Sequence, residues 1–141
     1  MTEGIVLASA SPRRAEILTS LGIPFRADPA DIAEDLEPGE DAQGASSRLA
    51  MEKAAQVALR HPRDWILAAD TLVVLSEKIL GKPRDDADAA RMLELLSGRE
   101  HRVVTAVRLR RGTAPGREIV AWSGVRIAPL TPAEIAWYVA T

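Results

Sequence analysis

The stretch Ile5-Val6-Leu7-Ala8-Ser9-Ala10-Ser11-Pro12-Arg13-Arg14 changes pattern partway along, and that change sets the fold class. Four apolar residues in a row read as a short buried strand. Ser11 is a good N-cap, because its hydroxyl accepts from N–H groups that the first helical turn leaves free. Pro12 suits the first helical position, where its fixed φ is already helical. Ile17, Leu18 and Leu21 then fall on one helical face, and Gly22 and Pro24 stop the helix. A strand therefore runs through a tight turn into a helix N-terminus bearing the hydroxyls of Ser9 and Ser11 and the guanidiniums of Arg13 and Arg14. Free backbone N–H groups and the helix dipole favour an anion there, and two guanidiniums suit a polyphosphate. The same residues also fit an ordinary surface helix whose first turn is basic.

Outward from this start, strands and helices alternate. Phe25 to Ile32 reads as an extended segment broken by Pro29, followed by an acidic, turn-rich stretch from Glu34 to Asp41. A helix is expected from about Ala42 to Arg60, ended by His61-Pro62. Trp65-Ile66-Leu67-Ala68-Ala69 reads as a buried strand, and Asp70-Thr71 comes straight after it. Leu72 to Leu75 is strand-like, with a hairpin tip at Glu77-Lys78 and a return through Ile79-Leu80 to Gly81-Lys82-Pro83. Asp85 or Asp86 caps a helix with Ala89, Ala90, Leu93 and Leu96 inward, ended by Ser97-Gly98. His101 to Leu109 and Ile119 to Ile127 form an antiparallel pair, with Val103, Val107 and Leu109 able to share a face. Thr131-Pro132-Ala133-Glu134 is a capping box opening a last helix that has no stop signal. The expected fold is α/β, with a mixed, twisted central sheet flanked by helices and a cleft at the C-terminal ends of the strands.

A chain of 141 residues, 47% apolar and 27% charged, is enough for one domain with a real core. A net charge of −2 does not favour non-specific binding to nucleic acid, and one Tyr, one Phe and three Trp are too few for a base-stacking platform. Cys is absent, which excludes disulfides, thiol catalysis and Cys-based zinc sites. With only two His, any metal would be a hard cation on carboxylates, such as Mg²⁺. The N-terminal apolar run is too short for a signal peptide and lacks a basic leader. No segment approaches a transmembrane length, so a cytoplasmic protein without membrane contact is expected.

Asp70 is the leading catalytic candidate. A carboxylate directly after five apolar residues lies where α/β sheets bind ligands, and it suits a general base or a metal ligand. It also fits a strand-end Asp that caps a turn. Gly81-Lys82-Pro83 offers a lysine as a point charge for phosphate, or simply a solvated turn lysine. Lys53 lies near the inner face of an Ala-rich helix, which is unusual unless it reaches a partner, and Glu34 alone reads as solvated. Together these residues supply cations for phosphates and carboxylates for a divalent ion and an attacking water, which suits phosphoanhydride hydrolysis. Neither a Walker A pattern nor a Gly-x-Ser-x-Gly elbow is present.

Five ordered blocks resemble the Maf family. They are Leu7 to Arg14, Arg48-Leu49-Ala50 with Lys53-Ala54, Ala69-Asp70-Thr71, Leu80-Gly81-Lys82-Pro83, and Leu96-Ser97-Gly98 with His101, Val103 and Thr105. The resemblance implies a Maf/inosine-triphosphatase-like fold in a single domain over 1–141. It also implies hydrolysis of a nucleoside triphosphate to its monophosphate and pyrophosphate, dependent on a divalent metal cation, Mg or Mn. By the same resemblance Asp70 is catalytic and Ser9, Ser11, Arg13, Arg14, Lys53 and Lys82 bind substrate phosphates. Arg13 and Thr71 set specificity, and Glu34 and Asp70 hold the metal. Thr71 points to the branch acting on dTTP and UTP, and the family to modified pyrimidine nucleotides and a house-cleaning role; a homodimer is expected because a shortened sheet exposes apolar surface and an unpaired edge. The family continues past the position of Thr141, so a C-terminally truncated member is expected, and the family's history adds septum formation. The alternative is a catalytically impaired nucleotide-binding or cell-division regulatory protein.

Overall fold

A computed structural model describes residues 4–141. Its elements run β1 (Ile5–Leu7), α1 (Pro12–Ser20), β2 (Phe25–Ala27), α2 (Ala42–Arg60), β3 (Trp65–Leu75), β4 (Lys78–Leu80), α3 (Asp86–Leu96), β5 (Glu100–Arg111), β6 (Arg117–Arg126) and α4 (Pro132–Ala140). The sheet order is β2-β1-β3-β5-β6, with β4 also paired to β3. Ile5–Leu7 runs parallel to Phe25–Ala27 and to Trp65–Leu67, whereas Val73–Leu75 runs antiparallel to Leu80–Lys78. The sheet is therefore mixed and flanked by helices.

The chain divides into two compact units. One takes in the chain up to Thr71 together with Thr105–Ala121, and the other Leu72–Val104 with Trp122–Thr141. In the first unit the core forms where β1 and β3 meet α2. Val6, Ala8, Ile66 and Ala68 pack with Ala54, Val57 and Ala58. Small residues on α2 let the helix lie close to the strands, and β-branched residues on the strands fill the space between. In the second unit the β3–β4 hairpin turns at Ser76-Glu77, one residue before the expected tip, with Ser76 at a φ of 56°. Asp85 caps α3 by accepting from the N–H of Asp88. The α4 capping box is present, with Thr131 and Glu134 bonding reciprocally.

Two apolar faces differ from expectation. On α1 only Leu18 is buried, while Ile17 and Leu21 are 51% and 66% exposed. Helical periodicity says which residues share a face but not whether anything covers it. On β5 the deeply buried positions are Val104 and Ala106, and Val103, Val107 and Leu109 are only half-buried. β2 is also shorter than the expected Phe25 to Ile32 segment, ending at Ala27.

Candidate active site

The first unit gathers most of the candidate residues, beginning at the turn into α1. Ser11 caps the helix, its Oγ accepting from the N–H of Arg14 at 3.4 Å, and the Ser9 Oγ accepts from the N–H of Ser11 at 3.1 Å. At the other end of α1 the Ile23 N–H reaches the Leu18 carbonyl and the Gly22 N–H that of Thr19, a Schellman closure. It needs the left-handed φ of 71° that Gly22 adopts. With both ends fixed, the Arg14 side chain is held in place. Its guanidinium donates to the Ser9 Oγ at 3.2 Å, the Ala69 carbonyl at 3.1 Å and the Thr71 Oγ1 at 3.1 Å. Burial pulls the Arg14 pKa below its usual value, against the nearby charges of Asp70 and Glu34. Thr71 in turn shares a 2.9 Å hydroxyl–hydroxyl bond with Thr105. Arg13 is exposed.

Asp70 corrects one expectation. It does not close a strand but lies inside the eleven-residue β3. Thr71, Val73 and Val74 keep the chain extended, while the partner changes. β1 pairs only as far as Leu67 and the pairing with β4 begins at Val73, so Ala68 to Leu72 falls between these two ladders. The Ala69 carbonyl in that gap accepts from Arg14 and, at 3.5 Å, from Lys53. The functional position survives for this reason: Asp70 emerges where the parallel ladder has stopped.

Asp70 is 5% exposed. Its Oδ1 accepts from the Lys53 ammonium at 3.0 Å, and its Oδ2 is buried with no hydrogen-bond partner. Burial pushes the Asp70 carboxyl above its ordinary value, the Lys53 hydrogen bond and charge pull against that, the Glu34 carboxylate adds to the rise, and Arg14 opposes it. Lys53 also lies 2.7 Å from the Glu34 Oε1. The acidic loop that carries Glu34 lies along α2. The Gln56 side chain bonds both the N–H and the carbonyl of Asp31. Arg48 clasps Glu40 through two nitrogens, at 2.7 and 2.9 Å, and donates to the Asp35 carbonyl at 2.8 Å and to Glu52.

Glu34, Lys53, Asp70, Thr71, Arg14, Ser9 and Ser11 are thus brought together. Lys82 is exposed on the loop after β4, in the second unit. Sequence reasoning gave no role to Arg48, Gln56 or Thr105. The available signal for Arg48 was its i,i+4 spacing to Glu52 beside an acidic loop. Among the described residues no group of three or more His, Asp or Glu side chains is arranged to hold a metal ion. The Glu34–Asp70 pair still fits a hard divalent cation. Such ions are held by one or two carboxylates and draw their other ligands from water and phosphate. The buried, unpartnered Oδ2 of Asp70 is an oxygen of the required kind. Also among the described residues, no helix is long and apolar enough to cross a membrane.

Residues 4–141 match the family described as Maf-like protein. The chain belongs to the Maf-like family. This Maf-like chain is 50% identical over 141 residues to an Anaeromyxobacter protein named dTTP/UTP pyrophosphatase, an alignment covering 97% of the chain and 67% of the relative. It is 44% identical over 140 residues to a protein of the same name from Koribacter versatilis, covering 98% and 71%. The solved structure of a HAM1 protein from Coxiella burnetii has a TM-score of 0.58 at 21% identity, covering 87% of this chain and 71% of that one. That likeness is one of fold.

Proposed function

We propose that this Maf-like chain hydrolyses nucleoside triphosphates, dTTP and UTP first among them, to the monophosphate and pyrophosphate. Asp70 carries the reading. A nearly buried carboxylate with one oxygen bonded to Lys53 and the other unpartnered is costly to keep unless that oxygen has a task. Its raised pKa brings it closer to the range in which a carboxylate serves as a general base. The relatives' name for their activity supports the substrate class.

The chemistry assigned to these residues balances simply. A water oxygen bonds to the α-phosphorus, the bridging P–O bond to the β-phosphate breaks, and pyrophosphate leaves with that electron pair. The Asp70 carboxylate takes the proton of the attacking water on the oxygen that does not hold the metal. Arg14, Arg13 and the N-terminus of α1, with Ser9 and Ser11, place cationic and N–H groups for the phosphates. Lys82 adds a further cation in this reading. Glu34 and Asp70 would hold Mg²⁺ or Mn²⁺, which when bound supplies neutralisation of phosphate charge. Thr71 is tied to Arg14 and Thr105, and in this reading it sets the nucleotide preference. Modified pyrimidine nucleotides, a house-cleaning role, a homodimer and a cytoplasmic location belong to the same reading.

The test is pyrophosphate release from dTTP and UTP with Mg²⁺ or Mn²⁺, run beside Asp70→Asn. Release that disappears in the variant supports the assignment, and release that survives removes Asp70 from it. A folded chain that releases nothing, yet melts at a higher temperature with nucleotide and metal, binds without hydrolysing.

A further inference from the structure

Lys53 has an unusual set of partners for a residue assigned to phosphate. It rises from α2, whose neighbouring Ala50 and Ala54 are buried, and its own side chain is 12% exposed. The ammonium meets the Glu34 Oε1 at 2.7 Å, the Asp70 Oδ1 at 3.0 Å and the Ala69 carbonyl at 3.5 Å. An ammonium has three N–H donors. Three acceptors surround this one, so Lys53 has no donor left for a phosphate while it is held in this way.

The local charge points the same way. The Lys53 ammonium bridges two carboxylates, whose charges act on the Arg14 guanidinium as well, while Arg14 itself donates to Ser9, Thr71 and the Ala69 carbonyl. Asp70 Oδ2 is buried and has no hydrogen-bond partner. Two carboxylates, one of them with a spare buried oxygen, form the hard oxygen set that a divalent cation prefers. We infer that Lys53 is the resident counter-ion of Glu34 and Asp70, that it gives up both carboxylates in exchange for a divalent cation, and that its freed ammonium then turns to phosphate. Nucleotide and metal are thereby coupled through one side chain. Metal entry releases the cation that phosphate needs, and without metal the site stays neutralised. The phosphate half of this inference rests on the proposed hydrolysis, and the exchange half does not.

The test uses the full chain, Lys53→Met and two probes. Mn²⁺ alone, without nucleotide, is titrated while the paramagnetic resonance signal of the free ion is followed. The variant is expected to bind at least about tenfold more tightly, or ~1.4 kcal/mol, because no ammonium has to be displaced. Inorganic pyrophosphate titrated into the Mg²⁺-loaded protein is expected to bind about tenfold more weakly to the variant. Opposite shifts for the two probes are the signature of exchange. Equal or weaker Mn²⁺ binding by the variant overturns the inference, and a lysine that merely braces the site would weaken both ligands together.

The unmutated chain gives a second reading should the variant not fold. Nitrogen-15 spectra of the lysine ammonium groups are expected to show a slowly exchanging Lys53 signal that is lost or shifted at saturating Mg²⁺, and an unchanged signal overturns the exchange. Hydrolysis of dTTP with no change in Mn²⁺ affinity would remove the exchange and leave the hydrolase reading. Opposite shifts in a chain that releases no pyrophosphate would do the reverse.

Discussion

Asp70→Asn separates a catalytic carboxylate from a structural one, because the two roles predict opposite costs. The amide keeps an oxygen where Oδ1 accepts from Lys53 at 3.0 Å, so the hydrogen bond persists without its negative charge. Losing that charge assistance costs about 1 kcal/mol, the gap between charged and neutral hydrogen bonds. Against this stands the relief of burying a charge that is 5% exposed, although the amide nitrogen takes the place of Oδ2 and is itself without a partner, so an unpartnered-group burden of about 1–3 kcal/mol remains. Glu34 remains to neutralise Lys53. The net change in folding stability is expected to stay within about 1 kcal/mol of the parent. Hydrolysis is expected to fall about 10²- to 10⁴-fold, the usual loss on removing a general base. Urea denaturation gives the first quantity, and single-turnover pyrophosphate release from dTTP gives the second. A variant destabilised by more than about 2 kcal/mol that still hydrolyses within tenfold of the parent would show that Asp70 is an anchor for Lys53 and the strand.

Further predictions follow from the surrounding contacts. Arg48→Met removes the clasp on Glu40 and the Asp35 carbonyl, so the acidic loop should be cut faster in limited proteolysis, with hydrolysis down about ten- to a hundredfold through misplacement of Glu34. Thr71→Val deletes the acceptor for Arg14 and the partner of Thr105. The KM for dTTP should rise about tenfold, and Thr71→Ser should restore it. Asp28 is held down to about 2 from 3.8 by its hydrogen bonds with Arg60 and His61. A depressed carboxyl contributes stability above its unfolded value that is lost as pH falls toward the folded one. Asp28→Asn should therefore flatten the acid limb of a denaturation profile between pH 3.8 and about 2.

How much could be read in advance depended on the range of each interaction. Ser11, Asp85 and Thr131 cap their helices as expected, since a cap is a bond to an N–H three residues on. Gly22 was legible as a stop because its left-handed φ is a property of one residue. Asp70 was found through the apolar run before it, although the assumed strand end was wrong. The strand runs on through Asp70 to Leu75, where the β4 hairpin pairs with it, and that the β1 ladder stops at Leu67 is decided only in space. Exposure of Ile17 and Leu21, and burial of Val104 and Ala106, likewise depended on what the fold laid against each face.

The sequence alone determined the order of strands and helices, the capped ends of α1, α3 and α4, and the set of charged residues available to a phosphate site. Each of these follows from neighbours within about a turn, where backbone sterics and capping bonds act. Only the tertiary structure decided that the Lys53 ammonium stands between Glu34 and Asp70, that Arg48 ties down the loop carrying Glu34, and that Arg14 is linked through Thr71 to Thr105. Those contacts join segments far apart in the chain. Which charges neutralise one another there depends on distances of a few ångströms that packing sets, and Coulomb energies change over that range.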